Sequence, residues 1–224
     1  MRTLVLGDIH GHNSWVDIVN KERFDKIVFL GNYFDSHNKS ISSEDQYYNY
    51  KAIRELKLSL KDDCILLLGN HDYHYLHEGP MYSGYKPFTY NMVHDLLVDD
   101  YSNKMIVPIH MMDNIILSHA GISSVWMRDI AKLQNIEDIN KLPLEYFDFN
   151  TVGGFNPYGD SITQSPIWIR PKSLLQSRVE GYKQIVGHTT LSSPMNDSDI
   201  WFNDLLPSHY IIIEDNNIMY VENK

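Results

Sequence analysis

The sequence predicts an α/β fold, and three observations carry that prediction. Short apolar runs at 3–6, 26–30 and 64–68 read as strands, the third as a fully buried parallel one. Two stretches that read as helices, 14–22 and 42–60, separate them. Each run then stops at a glycine followed by polar side chains, and ligands bind at that edge of an open α/β sheet.

The elements follow in order. Strand 3–6 ends in Gly7-Asp8-Ile9-His10-Gly11, and helix 14–22 follows with Trp15, Val16, Ile18 and Val19 as its apolar residues and Asn13 or Ser14 as its cap. Strand 26–30 ends in Gly31-Asn32-Tyr33-Phe34-Asp35. The next helix starts at Ser42 or Ser43, where Ser43-Glu44-Asp45-Gln46 fits a capping box, and runs to about residue 60. Tyr50, Ile53, Leu56, Leu58 and Leu60 supply its apolar face. Strand 64–68 ends in Gly69-Asn70-His71-Asp72, where glycine permits a sharp turn.

Residues 73–104 form an insertion rich in tyrosine and histidine, with Gly79-Pro80 and Ser83-Gly84 as turns and a helical stretch at 93–97. It reads either as a loop packed by its own aromatics or as a wall beside a site. Strands at 105–110 and 114–117 follow, the second ending in His119-Ala120-Gly121. A helix at 123–134, an extra turn at 137–142, an irregular Gly/Pro/Ser-rich stretch at 151–169 and a short strand at 184–186 come next. That strand ends in Gly187-His188-Thr189, and a hairpin at 211–213 and 218–221 closes the chain.

The chain has 224 residues, enough for one domain spanning 1–224 with a real core. Its formal net charge of −10 argues against non-specific nucleic-acid binding and against an anionic membrane surface. Its one cysteine, Cys64, reads as a small buried hydrophobe, and no intrachain disulfide can form. No run reaches membrane-spanning length and no signal peptide is visible, so the expected compartment is the cytoplasm.

Five polar clusters at strand ends are the functional signal. Carboxylate, amide and imidazole donors together suit divalent first-row metals such as manganese, iron or zinc. Gly7-Asp8-Ile9-His10-Gly11, Gly31-Asn32-Tyr33-Phe34-Asp35, Gly69-Asn70-His71-Asp72, His119-Ala120-Gly121 and Gly187-His188-Thr189 resemble the calcineurin-like metallophosphoesterases. Their order and spacing are most similar to the phosphoprotein phosphatase branch in its small bacterial and phage form. Ser165-Pro166-Ile167-Trp168-Ile169-Arg170-Pro171 also resembles a segment of bacterial members.

The resemblance implies a four-layer α/β sandwich, two mixed β-sheets flanked by helices. It implies hydrolysis of phosphomonoesters by two-metal activation of water, on a phosphorylated protein (phosphoserine or phosphothreonine) or a small phosphoester, in a bacterial or phage-infected cytoplasm. Asp8 and His10 would hold the first metal, Asn70, His119 and His188 the second, and Asn32 would stand at the bridging position. The ions would be manganese first, with iron, zinc or nickel as alternatives. His71 would be the general acid, Asp35 would orient it, and Arg170 would hold phosphate.

Three positions depart from the family's pattern. Asn32 stands where the bridging Asp is usual, and a neutral amide bridges poorly. Ser36, followed by His37, stands where Arg-Gly is usual, and Leu68 stands where an Arg often precedes the third motif. Arg170 is left as the phosphate-binding arginine, with His37 as a partial substitute at the groove mouth. The expectation is therefore one well-bound metal and slow turnover. Two other readings compete. One is a nucleotide phosphoesterase or dinucleoside polyphosphate hydrolase, in which tyrosines such as Tyr73, Tyr75, Tyr82, Tyr85 or Tyr90 stack a base. The other is a non-catalytic or deliberately inactivated chain that binds a phosphorylated ligand. His12, His74, His77, His94, His110 and His209 match no motif and read as surface or core residues, His74 with the least assurance because it lies one turn after His71.

Overall fold

In the computed structural model, which describes every residue except 78, 80, 153–155 and 157, two sheets pack face to face. The first sheet comprises β1 (Arg2–Leu6), β2 (Lys26–Phe29), β3 (Cys64–Leu67), β4 (Ile106–Val107), β10 (His209–Glu214) and β11 (Asn217–Glu222), in the order β11-β10-β1-β2-β3-β4. The second comprises β5 (Ile109–Met112), β6 (Ile115–Ser118), β7 (Lys183–Val186), β8 (Met195–Asp197) and β9 (Ile200–Phe202), in the order β5-β6-β7-β9-β8. In the first sheet β1, β2, β3 and β4 run parallel, while β10 and β11 add antiparallel pairs at the other end. In the second the central β6-β7-β9 run is parallel and the edge strands β5 and β8 pair antiparallel, so both sheets are mixed.

Strand alternation builds the layers. On β1, Val5 points into the seam between the sheets, where it meets Val28, Leu67, Leu117 and Ile185. Leu4 and Leu6 point the other way, to Trp15 and Ile18 of α1 (Ser14–Lys21) and to Tyr50 and Ile53 of α2 (Ser43–Leu60). Outside the second sheet, Val186, Ile200 and Phe202 pack on Leu174 of α5 (Pro171–Ser177). Each fully buried side chain of this kind contributes about 1.5–3 kcal/mol against the entropy of ordering the chain. Cys64 lies in this core, and burial pushes its thiol up to about 12, so it stays inert.

Several expectations change. The capping box of α2 is set one residue earlier, with Ser42 Oγ accepting from Asp45 N and Asp45 accepting from Ser42 N. Leu58 is 54% exposed and not part of the apolar face. Asn13 precedes α1 without a capping bond, because its side-chain oxygen accepts from Asn49 instead. The turn after β3 is the start of a helix, α3 (Asn70–Leu76), and α4 (Pro87–Ser102) is far longer than 93–97, with Pro87 at its first turn. Of the two turn signals in this region, Pro80 lies outside the described residues, as do parts of the 151–169 stretch.

The stretch 105–110 is two strands: Pro108, which cannot donate to a ladder, separates β4 in one sheet from β5 in the other. The helix at 123–134 is only a short turn ending in a π-helical segment, Trp126–Ile130. β8, β9 and α5 have no counterpart in the sequence reading.

Candidate active site

β1, β2, β3, β6 and β7 all deliver their carboxyl ends to one groove, and the motif residues meet there. The cavity has a volume of about 540 Å³, and its lining includes His10, Asn32, Asn70, His71, Arg170 and His188. The backbone at His10, Asn32, Asp35 and His188 is left-handed, with φ of 43°, 54°, 62° and 65°. That conformation is uncommon outside glycine and gathers at functional sites.

The histidines fall into two kinds. His119 turns Nδ1 to the Leu30 carbonyl at 2.8 Å and Nε2 to Asn70 Oδ1 at 2.8 Å. His188 turns Nε2 to the Trp168 carbonyl at 3.1 Å and Nδ1 to Asn70 Oδ1 at 3.0 Å. Burial, foremost, holds His119 down to about 3 and His188 well below the usual imidazole range, so both rings are neutral. A neutral imidazole has one N–H, and the carbonyls take it. Each ring therefore aims a lone pair at an amide oxygen that also offers lone pairs. With the Asn70 amide oxygen on this side, three acceptors converge in a buried space that suits a cation, and a carbonyl on the far ring nitrogen is how proteins orient metal-binding imidazoles. His10 repeats the pattern: Nδ1 meets the Phe34 carbonyl at 2.6 Å and Nε2 faces Asp8 Oδ2 at 3.8 Å. Burial takes His10 to about 3 and raises Asp8 to about 6, the latter opposed by hydrogen bonds from His188 and Asn32. These donors fit divalent metals.

Asn32 is fixed at both ends of its amide. Nδ2 donates to Asp8 Oδ2 at 2.9 Å, while Oδ1 accepts from His71 N at 2.9 Å. Reversing the amide would set oxygen against carboxylate and NH₂ against N–H, so the network assigns this orientation. The side chain thus presents a donor, not a lone pair, toward Asp8.

His71 belongs to the other kind. Its Nδ1 meets Asp35 Oδ2 at 2.9 Å, a carboxylate rather than a carbonyl. Asp35 also accepts from His74 Nε2 at 2.7 Å and from the Tyr75 hydroxyl at 2.5 Å. Burial opposes its charge, yet the bonds from His71, His74 and Tyr75 together hold Asp35 below its ordinary carboxylate range. Asp35, His71 and His74 offer nitrogen and oxygen atoms within 4.8 Å of one another, which also suits a metal geometrically. Hydrogen-bond distances account for the cluster without one. His74 is a buried core residue that bonds Asp35 through Nε2, while its Nδ1 finds no partner among the described residues; the spacing only hinted at its role.

Asp72 locks the loops together. Its carboxylate accepts from Asn32 N and Tyr33 N at 2.7 Å and from Gly69 N at 3.0 Å. A Cβ on Gly69 would lie 2.3 Å from Asn32 N, so the two loops close only on glycine.

Arg170 reaches the cavity with Nε held by the Tyr158 carbonyl at 2.7 Å and Nη1 by His188 O and Thr189 Oγ1, each at 3.1 Å. Burial lowers its pKa. His37 lines the same cavity, its ring 5.5 Å from that of His10.

Tyr73 is a correction. It is fully buried, and its hydroxyl donates to Asp148 at 2.8 Å and Leu144 O at 3.1 Å, so it cannot stack a base in the groove. Two residues along a helix turn a side chain to the opposite side, and His71 takes the groove side. Of the tyrosines proposed for stacking, Tyr82 lines the cavity. It packs on Trp168 and Phe149 at 4.6 and 6.3 Å between ring centroids. Asp204 and Thr190 line the cavity too, and the sequence reading missed both. Asp204 follows the apolar triplet Ile200-Trp201-Phe202, which is the strand-then-polar signature without its glycine.

A two-sheet sandwich that gathers neutral imidazoles, amides and a carboxylate at its strand ends defines a metal-ready α/β protein. The chain belongs to the calcineurin-like phosphoesterases, whose family model matches residues 1–218, and that family is one of metal-dependent phosphoester hydrolases. Among solved structures it is similar to a cold-active protein-tyrosine phosphatase of a psychrophilic Shewanella species, at 16% identity and a TM-score of 0.65, covering 99% of this chain and 77% of that one. A protein serine/threonine phosphatase from Saccharomyces cerevisiae matches at 14% identity and 0.62, covering 99% and 79%. A metallophosphoesterase from Sphaerobacter thermophilus matches at 12% identity and 0.54, covering 100% and 88%. At these identities the likeness is one of fold. No curated protein matches the chain in sequence. Among the described residues no helix is long and apolar enough to cross a membrane.

Proposed function

We propose that this chain is a phosphomonoesterase whose catalytic groove is the cavity described above. The observation that carries the reading is the convergence of lone pairs from His119, His188 and Asn70 beside the His71–Asp35 pair. Asn70, His119 and His188 hold one divalent metal, and Asp8 and His10 hold a second more weakly. Divalent ions there supply Lewis-acid polarisation of phosphoryl oxygens and a more acidic water. His71 stands ready to protonate the leaving oxygen from Nε2 while Asp35 fixes its ring through Nδ1. His74 and Tyr75 hold Asp35 in place for that task. Arg170, with Nη2 uncommitted among the described residues, contacts a phosphate oxygen.

One observation favours an aromatic ester within this class. Tyr82, Phe149 and Trp168 pack on one another at steep angles beside the groove, an aromatic wall that a phosphoserine side chain would not use. The test is a panel of an aryl phosphate, phosphotyrosine and phosphoserine peptides and a dinucleoside polyphosphate, each with added manganese and with chelator. Manganese-dependent release of phosphate from the monoesters, fastest for the aromatic ones, is expected. Cleavage of the dinucleoside polyphosphate alone would replace this reading with the nucleotide one, and no turnover of any substrate would favour a binding role.

A further inference from the structure

The groove contains a carboxylate that the motif residues leave without a task. Asp204 is 8% exposed and lines the cavity together with His10, His37 and His188. Its Oδ2 accepts from Thr190 Oγ1 at 2.6 Å. Among the described residues, Oδ1 has no hydrogen-bond donor and no basic side chain reaches ion-pair distance. The charges that act on it are Asp8, which repels it, and Arg170 and His37, which attract it. Burial and Asp8 together push Asp204 up to about 7. A buried carboxylate normally finds a partner charge, because leaving it alone costs several kcal/mol.

Its position is built, not incidental. Asn203 ties the end of β9 to both sheets: its N–H donates to Val186 O at 2.6 Å and its side-chain Nδ2 donates to Val5 O at 3.1 Å. Those two carbonyls lie just before the turns that carry His188 and Asp8. A Cβ on Gly7 would sit 1.9 Å from the Asn203 carbonyl oxygen and 3.3 Å from Asp204 Cα. Glycine at position 7 therefore lets this segment close directly on the Asp8 turn. Meanwhile Asn32 gives that part of the groove an amide donor and no charge.

We propose that Asp204 is the second carboxylate of the metal centre, supplying from the end of β9 the negative charge that Asn32 does not. Two divalent ions bring four positive charges, and Asp8 alone offsets one of them. A second carboxylate in a low-dielectric groove strengthens cation binding at the Asp8–His10 site most. The inference rests on the metal-binding reading above.

The experiment is a manganese titration by calorimetry, with bound metal counted by elemental analysis, on the parent chain, Asp204→Asn, Asn32→Asp and the double variant. The parent should show a tight and a weaker site. Asp204→Asn should weaken the second of these by about tenfold or more and leave the tight site in place. Asn32→Asp should raise affinity more in the Asp204→Asn background than in the parent, because either carboxylate can serve. Thermal unfolding in chelator reports whether Asp204→Asn still folds, and a mere folding defect would not be rescued by Asn32→Asp. Unchanged stoichiometry and affinity in Asp204→Asn, or gains from Asn32→Asp that are equal in both backgrounds, would overturn the inference while leaving the metal reading intact. A parent chain that binds no manganese at all would overturn both.

Discussion

The two halves of the groove solve the same problem unequally. On one side, His119, His188 and Asn70 meet within 3.0 Å of a shared oxygen, every ring is tethered by a backbone carbonyl, and all three residues are buried. On the other, His10 stands 3.8 Å from Asp8, and the Asn32 amide already fills one Asp8 oxygen with a hydrogen bond. The first half is preorganised for a cation without any charge of its own. The second has charge but spends part of it on an amide. Geometry can stand in for charge when the donors are locked, and charge must do more where they are not.

Breaking the organised half should have the largest effect. His188→Ala or His119→Ala should abolish tight manganese binding and phosphatase activity together, as elemental analysis and an aryl phosphate assay would show. Full occupancy in both variants would mean that these rings serve structure only. The next effect separates chemistry from binding. His71→Asn should keep metal content near the parent's while slowing alkyl phosphates by about a hundredfold or more, and aryl phosphates by less, as expected for a lost general acid. Equal losses on both ester types would remove His71 from that role.

The weaker half can be sharpened by giving it back a carboxylate. Asn32→Asp should raise turnover by about an order of magnitude at limiting manganese. In chelator the same variant should unfold at a lower temperature than the parent, because two carboxylates then face each other where an N–H···O bond stood. A variant with neither change would show that the halves are already equal. The smallest effect should come from Arg170→Ala. Two of its nitrogens are held by protein oxygens, so a severalfold weaker inhibition by phosphate or vanadate is expected. Unchanged inhibition would exclude a phosphate contact.

Much of this groove is legible in the sequence because its parts share a local grammar. An apolar run, a glycine and a polar side chain follow one another wherever β1, β2, β3 and β7 end, and parallel pairing within each sheet brings those ends to one side of the molecule. The readable residues are those whose position is set by their own strand. Asp204 escapes that reading because its place depends on Asn203 bridging two sheets, a contact between residues nearly two hundred positions apart. Tyr73 misleads for a related reason: composition marks the region as aromatic, but only the helix phase of α3 decides which ring faces the groove. The split at Pro108 was visible as a residue and not as a consequence, since a proline does not say that the chain will change sheets there.

The Asp72 clamp has a consequence for how such a chain can diverge. By fastening Asn32 and Tyr33 to the loop that carries Asn70 and His71, it makes His71, the proton donor proposed above, and the floor of the groove one rigid body. Neither can drift to suit a new ester without disturbing the other. The rings of Tyr82 and Trp168 are tied elsewhere, Tyr82 to Asp148 and Trp168 to the Phe147 carbonyl, and among the described residues neither ring bonds to Asn32, Tyr33, Asn70 or His71. Changes of substrate can therefore be written on that wall one ring at a time, while the chemistry beneath it stays as it is.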